Sequence, residues 1–334
     1  MANTPYNATM SRPHWSGSNA DLDIHLEAYE GDIEGSFRVE SLFRSSGLTN
    51  FKTVAGRSNT WRGDRVGGAT VKGRKAGEAL DPTRIVNEKL LITVDTTSYI
   101  RTPIDYQDDW TAPDFQAEYS AEHGSAHAKA FDQAHLIQLI KAGTWAAPAS
   151  LKASGAFYDG ISTVMTGYAA QTDAELKADL IVKHHKNALA TFVKRDLGGS
   201  LAEFVTLIEP DTFNVLLDHK KLMNVDFQGG NGDNDFAARR VGWLNGIRVI
   251  ETPRFPTAAI AAHFLGPAFN VSAAEAKARV VIFHPRKTLV TVEAQGMVAR
   301  VWDDKENFAN VLDSYTMYTV GLKRGDCVAV LSTD

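Results

Sequence analysis

A few histidines, aspartates and a single cysteine are the side chains of this sequence whose types and spacing could bind a metal or attack a substrate. His123 and His127 stand four apart in a helical pattern, a workable two-ligand spacing on one helix face. No carboxylate or third histidine is placed by the sequence to complete a set. His184 falls between Leu180 and Ala188 at four-residue steps, on the expected apolar face of a second helix. It reads as a hydrogen-bonded core histidine, and His185 beside it points elsewhere. Asp226 precedes and Asp233 and Asp235 fall within Gly229-Gly-Asn-Gly-Asp-Asn-Asp235, but their spacing misses the calcium-loop pattern and no glutamate closes it. A solvated polar loop is the simpler reading. Cys327 lies in a C-terminal alternating pattern and reads as a small buried hydrophobe rather than a nucleophile. There is no G-x-S-x-G, Walker loop or H-E-x-x-H. The sequence therefore assigns no catalytic residue, no cofactor-binding residue and no metal ligand set.

Composition narrows the class further. The chain has 334 residues with 44% hydrophobic and 22% charged, a globular balance long enough for a substantial core. The formal net charge of -5 argues against a dedicated nucleic-acid binder. One cysteine excludes a disulfide framework and suits a reducing compartment. Residues 1–20 lack the basic start and apolar run of a signal peptide. The longest mostly apolar stretch, Pro256 to Phe269, is broken by His263 and Gly266 and is too short to span a bilayer. The expectation is a soluble, cytoplasmically made protein.

The elements that must position these groups form a mixed α+β chain. Residues 1–20 read as a polar arm. Gly56, Gly63, Gly67, Gly68 and Gly73, set among Thr and Val, read as a long twisted hairpin without a core of its own. Leu90, Ile92 and Val94 alternate as a strand, and Thr97 to Ile104 continues extended. Thr111-Ala-Pro-Asp then predicts the cap of a long helix over 111–141, with Phe115, Tyr119, Ala126, Ala130 and Ile137 on its buried face and Gly143 as its stop. A second helix starts at Thr172-Asp-Ala-Glu175, with Leu176, Leu180, Ala188 and Phe192 on one face, and ends at Gly198-Gly199. A strand over 204–208 and a short helix over 211–221 follow. From Arg279 onward the pattern is strand after strand, ending in Val328-Ala-Val-Leu331.

Charge is segregated along the first quarter of the chain. Asp21, Asp23, Glu27, Glu30, Asp32, Glu34 and Glu40 face a single Arg38 in the segment 21–40, a net of -6. Between 52 and 75, Lys52, Arg57, Arg62, Arg65, Lys72, Arg74 and Lys75 face only Asp64, a net of +6. Exposed pairs are individually worth about 0 to 1 kcal/mol. Repeated between copies of one chain, however, many weak contacts give register and specificity. A two-stranded hairpin cannot be stable alone in water and must rest on something else. Nucleic acid is the second choice of partner, since only Phe51 and Trp61 accompany the basic residues.

This layout resembles the major capsid protein of tailed bacteriophages, with its Hong Kong 97-type fold, over essentially the whole chain. Local stretches are similar to the short-tailed (T-seven-like podovirus) branch. They are Tyr29-Glu-Gly-Asp-Ile-Glu-Gly-Ser-Phe with Leu42-Phe-Arg-Ser-Ser; Ile104-Asp-Tyr-Gln-Asp-Asp with Glu118, Tyr119, Gly124, Ala128 and Asp132; and Gly242-Trp-Leu-Asn-Gly-Ile-Arg-Val-Ile-Glu-Thr-Pro-Arg-Phe-Pro256. Their order and spacing together carry the resemblance.

The resemblance implies an N-terminal arm (1–35), the start of a peripheral (P) domain (36–49) and an extended E-loop (50–90). The P domain with its spine helix follows (91–145), then an axial (A) domain (146–285). Strands then return to the P domain (286–320), and a last strand (321–334) closes the A domain. Arg57, Arg62, Arg65, Lys72, Arg74 and Lys75 of the E-loop and Asp23, Glu27, Glu30, Asp32 and Glu34 of the arm are then expected at contacts between subunits. It further implies hexamers and pentamers in an icosahedral shell around non-specifically held double-stranded DNA, assembled in the host cytoplasm. The implied partners are a separate scaffolding protein, a portal at one vertex and an optional decoration protein, with no membrane and no cofactor. Some relatives cross-link an E-loop lysine to an asparagine. Lys72 or Lys75 with Asn307 or Asn310 would be the counterparts, but the pattern does not match and non-covalent assembly is expected. An encapsulin-like nanocompartment and, outside the class, a metal-dependent enzyme using His123, His127 or His184 are the alternatives.

Overall fold

The computed structural model describes residues 41–334 apart from 55–57, 81, 112–115, 224–233 and 236–238. In chain order, α1 (Leu42–Ser45) and β1 (Asn50–Thr53) precede a hairpin of β2 (Thr60–Val66) and β3 (Asn87–Thr93). β4 (Thr97–Asp105) leads through the short α2 (Tyr106–Thr111) to the long α3 (Gln116–Ala142). Then come α4 (Ala149–Ala153), β5 (Ile161–Met165), α5 (Ala174–Lys194), β6 (Val205–Ile208), α6 (Pro210–Leu217) and α7 (Lys220–Met223). Short strands β7 (Asn234–Asp235), β8 (Arg240–Val241) and β9 (Trp243–Leu244) precede β10 (Ile247–Glu251) and β11 (Ala278–Phe283). The chain closes with α8 (Pro285–Thr288), β12 (Leu289–Asp304), β13 (Ala309–Leu322) and β14 (Val328–Thr333).

Two sheets organise these elements. A four-stranded sheet runs β1-β12-β13-β4, with β1 parallel to β12 and the other pairs antiparallel. A six-stranded sheet runs β5-β14-β11-β6-β10-β9. The second is covered on both faces, which is why β6, β11 and β14 are buried on both sides along most of their length, and why Val328 to Leu331 form an apolar run where the sequence suggested an alternation. Val281, Phe283, Val328 and Val330 point to the core shared with α3, whereas Val280, Ile282, Ala329 and Leu331 point to the core under α5 and α6. The C-terminal half of α3 thus packs against both sheets, through Tyr318 and Val320 of β13 and through β11 and β14. At 1.5 Å per residue its 27 residues make a rod of about 40 Å.

The long helix differs in detail from the sequence reading. Thr111 closes α2 instead of capping α3, and Ala112 to Phe115 lie outside the described residues. Ala126 and Ala130 are only half-buried, while His123, His127, Phe131, Ala134 and His135 face inward. In the N-terminal half the stripe is shifted by one position and largely polar, whereas Ile137 is fully buried as expected and the C-terminal half of the stripe is apolar. Gly143 follows the last helical residue because β14 crosses there: a Cβ at this position would stand 2.7 Å from Val330 Cγ2. The same kind of shift occurs in α5. Its cap is Asp173, whose carboxylate accepts from the Glu175 N–H at 2.9 Å. Ala178, Ile181, Val182, His185, Ala188 and Phe192 are buried, and Leu176 is exposed. His185, rather than His184, is therefore the core histidine. The helix ends at Lys194, before Gly198-Gly199, which open a 3-10 turn. The single helix expected over 211–221 is two, α6 and α7.

Candidate assembly interface

The β2–β3 hairpin is held to the body by a few anchors at its base. Ile92 and Val94 join Val290 and Val292 in a small core, with Trp61 and Met317 against it. Gly321 on β13 makes room for this contact, since a Cβ there would meet Ile92 Cδ1 at 2.2 Å and Cγ1 at 2.7 Å. Arg65 is the polar anchor. Its Nε donates to the Lys323 carbonyl at 2.8 Å and an Nη to the Leu322 carbonyl at 2.9 Å. The guanidinium lies 5.3 Å from the Trp145 ring and 3.8 Å from Glu88. Burial lowers its pKa, and Glu88 and Asp326 pull it back up.

The basic residues expected between subunits therefore divide. Arg65 is buried and engaged within its own chain, which corrects its expected role at a neighbour. Arg62 is exposed and pairs with Asp64 at 3.3 Å. Lys72, Arg74 and Lys75 are exposed beyond the paired strands, Arg74 bonding to the Glu78 carbonyl and the Lys75 N–H donating to the Glu78 carboxylate at 3.0 Å. Arg57 lies outside the described residues, as do Asp23, Glu27, Glu30, Asp32 and Glu34 of the arm.

Charge was not the whole signal. Val71 and Leu80, 97% and 79% exposed, stand in the segment joining β2 to β3. A second surface covers the face of the four-stranded sheet turned away from α3. Tyr99, Arg101 and Pro103 of β4 lie opposite Tyr315, Asp313 and Val311 of β13, which lie opposite Val298, Arg300 and Trp302 of β12. Arg101 pairs with Asp313 at 3.1 Å and covers Trp302, and Arg300 covers Tyr315. Tyr99 and Trp302 remain widely exposed. The period-two pattern of β4, β12 and β13 carries this face in the sequence, but only the register aligns its rows.

His123, His127, His185 and Cys327, which could have done chemistry, are buried, and the three histidines are held by structural contacts. His123 Nδ1 and His127 Nε2 both lie 3.1 Å from Ser314 Oγ, and His123 Nε2 is 2.9 Å from Thr102 Oγ1. Burial lowers both pKa values. His185 meets Thr206 and Asn245, and burial takes its pKa to about 4. Cys327 is buried, which pushes its thiol up to about 12. Asp226 and Asp233 lie outside the described residues. Among the described residues no three histidine, cysteine or acidic side chains converge as a metal site. Asp132 of α3 instead fastens the start of the described chain, accepting from Ser41 Oγ at 2.6 Å and the Leu42 N–H at 2.7 Å.

Comparison with known proteins fits a shell subunit. No family model matches the sequence, and no curated protein matches it. Solved structures do. The chain is 47% identical to the subunit in the asymmetric unit of the bacteriophage PhiM1 mature capsid, with a TM-score of 0.81 and 99% of each chain covered. The capsid of cyanophage P-SCSP1u superposes with a TM-score of 0.77 at 17% identity, covering 100% of this chain and 99% of that one. A virus-like particle from Pyrococcus furiosus shares the fold more distantly, at 12% identity and a TM-score of 0.54 over 90% of this chain and 95% of that one. The long central helix, the two sheets and the outlying hairpin, together with close identity over the full length, make this chain a member of the tailed-bacteriophage major capsid proteins of Hong Kong 97-type fold, a structural shell subunit and not an enzyme.

Proposed function

We propose that the chain assembles as hexamers and pentamers into an icosahedral shell enclosing packaged double-stranded DNA of a short-tailed phage. The observation that carries this reading is a full-length 47% identity to a mature capsid subunit, joined to a hairpin whose apolar tip residues Val71 and Leu80 have no core in their own subunit. Residues 50–90 act as the E-loop, 91–145 and 286–320 as the P domain and 146–285 with 321–334 as the A domain; the four-stranded sheet, which also takes in β1 (50–53) from the foot of the E-loop, and the six-stranded sheet are the centres of the two domains. The acidic arm (1–35) meets exposed basic residues of a neighbour's E-loop, Arg62, Lys72, Arg74 and Lys75. A separate scaffolding protein, a portal and a decoration protein complete the particle, which is built in the host cytoplasm. A net charge of -5 suits a container that must not grip its DNA.

Electron microscopy of the expressed protein, alone and with its scaffold, tests the reading. Closed shells are expected, and particles from infected cells are expected to hold DNA. A protein that stays monomeric under all conditions overturns it. Shells filled with cargo protein and no genome would instead favour a nanocompartment.

A further inference from the structure

The chain passes from the six-stranded to the four-stranded sheet through His284 and α8, and beside this crossing lies a hollow of about 270 Å³. Arg248 of β10, Arg286 of α8, Glu203 and His284 are among the residues lining it. Both arginines are exposed, and neither guanidinium has a hydrogen-bond or ion-pair partner among the described residues. They come from different sheets: β10 belongs to the six-stranded one, and α8 opens into β12 of the four-stranded one. Behind them, His284 is 1% exposed with Nδ1 unpartnered, and its Nε2 meets Glu203 Oε2 at 3.0 Å off the line of a good hydrogen bond. Buried polar atoms left open in this way mark a place that water or an ion completes.

We propose that this hollow binds a phosphate group, held between Arg248 and Arg286, and that the bound group clips the two sheets together. Guanidinium is the cation best matched to a tetrahedral oxyanion, through paired N–H donors. The volume admits one phosphate with several waters, and His284, which lines the hollow, is the buried polar group such a water can satisfy. Glu203 is the opposing charge at the hollow; its side chain is exposed, so solvent screens it and the two arginines outweigh it. A free phosphate and the phosphate of a polynucleotide share this chemistry.

The test uses the full-length protein before assembly. Inorganic phosphate is titrated against chloride at matched ionic strength, by calorimetry and by thermal unfolding. Saturable binding of one phosphate per subunit is expected, with a rise in unfolding temperature. Arg248→Gln and Arg286→Gln, both at exposed positions, are each expected to weaken binding at least tenfold while keeping the circular dichroism of the parent. Glu203→Gln is expected to tighten it several-fold, which loss of a merely structural contact would not do. In a second arm, a short DNA duplex that competes with phosphate in an arginine-dependent way identifies the polynucleotide as the source; failure to compete identifies free phosphate. Phosphate no more stabilising than chloride, or binding unchanged in both arginine variants, overturns the proposal.

Discussion

His135 Nε2 on α3 and Thr291 Oγ1 on β12 meet at 2.7 Å, wholly inside the contact between the long helix and the four-stranded sheet. His135 Nδ1 lies 2.7 Å from the Phe131 carbonyl, so that nitrogen carries the ring proton and Nε2 accepts from the threonine. Thr291 in turn contacts Thr49 Oγ1 at 2.8 Å. The neutral imidazole is thus built into the joint, and burial takes its pKa from 6.5 to about 4.

Acid is expected to loosen this joint. The unfolded chain binds a proton at His135 near pH 6.5, whereas the folded chain resists it until about pH 4. Its contribution is therefore complete above pH 6.5 and is lost as pH falls toward 4, by about 3 kcal/mol. His185 adds a similar loss over the same window. Denaturant unfolding between pH 7 and 4.5 checks this. His135→Gln should flatten the slope by about 1.4 kcal/mol per pH unit within the window. Parallel slopes in parent and variant would sink the idea.

Arg65→Gln is expected to free the base of the β2–β3 hairpin. Two donor contacts to the Leu322 and Lys323 carbonyls are lost, at a cost of about 2 to 3 kcal/mol. Hydrogen exchange should quicken in β2 and β3 before the rest of the chain. Arg62→Glu, at an exposed position, should leave that exchange unaltered and lower shell yield instead.

Gly321→Ala should push Ile92 from its seat and cost about 1 to 3 kcal/mol by overpacking. Adding Ile92→Ala removes the collision, so the double variant is expected to lose less than the sum of the two. Strict additivity in such a cycle would contradict the packing described.

Val71→Asp and Leu80→Asp are expected to leave the subunit within about 0.5 kcal/mol of its parent stability, since neither residue touches a core. Shell yield by sedimentation should fall sharply if these residues serve a neighbour. Undiminished yield in both would remove the hairpin tip from the interface.

On α3, Ala134→Glu should be severe, by more than about 4 kcal/mol, because the site is fully buried and offers the charge no partner. Ala130→Glu, at a half-buried position, should be far milder. Thermal melts of the two variants distinguish them, and equal effects would show the buried face to be misplaced.

Much of this molecule is written locally in its sequence. The polar cap at the start of α5 (one residue later than the Thr172 box suggests), the stop at Gly143, the alternation of Leu90, Ile92 and Val94 in β3, and the terminal strand Val328-Ala-Val-Leu331 each follow from residues within a few positions of one another, so helix, strand and order of parts are legible. The charge segregation and the glycine-rich hairpin likewise announce a segment that must rest on something else. Tertiary structure decided what depends on distant partners. A one-residue step turns a helical side chain by 100°, so only the sheets beneath α3 and α5 could choose His127 over Ala126 and His185 over His184 for the interior. Arg65 looked like its basic neighbours until the Leu322 and Lys323 carbonyls, more than 250 residues away, were brought to it. β11 and β12 are separated only by α8 yet enter different sheets, and β1 finds β12 across some 240 residues. Such pairings rest on shape and register between remote segments, which no local run of residues encodes.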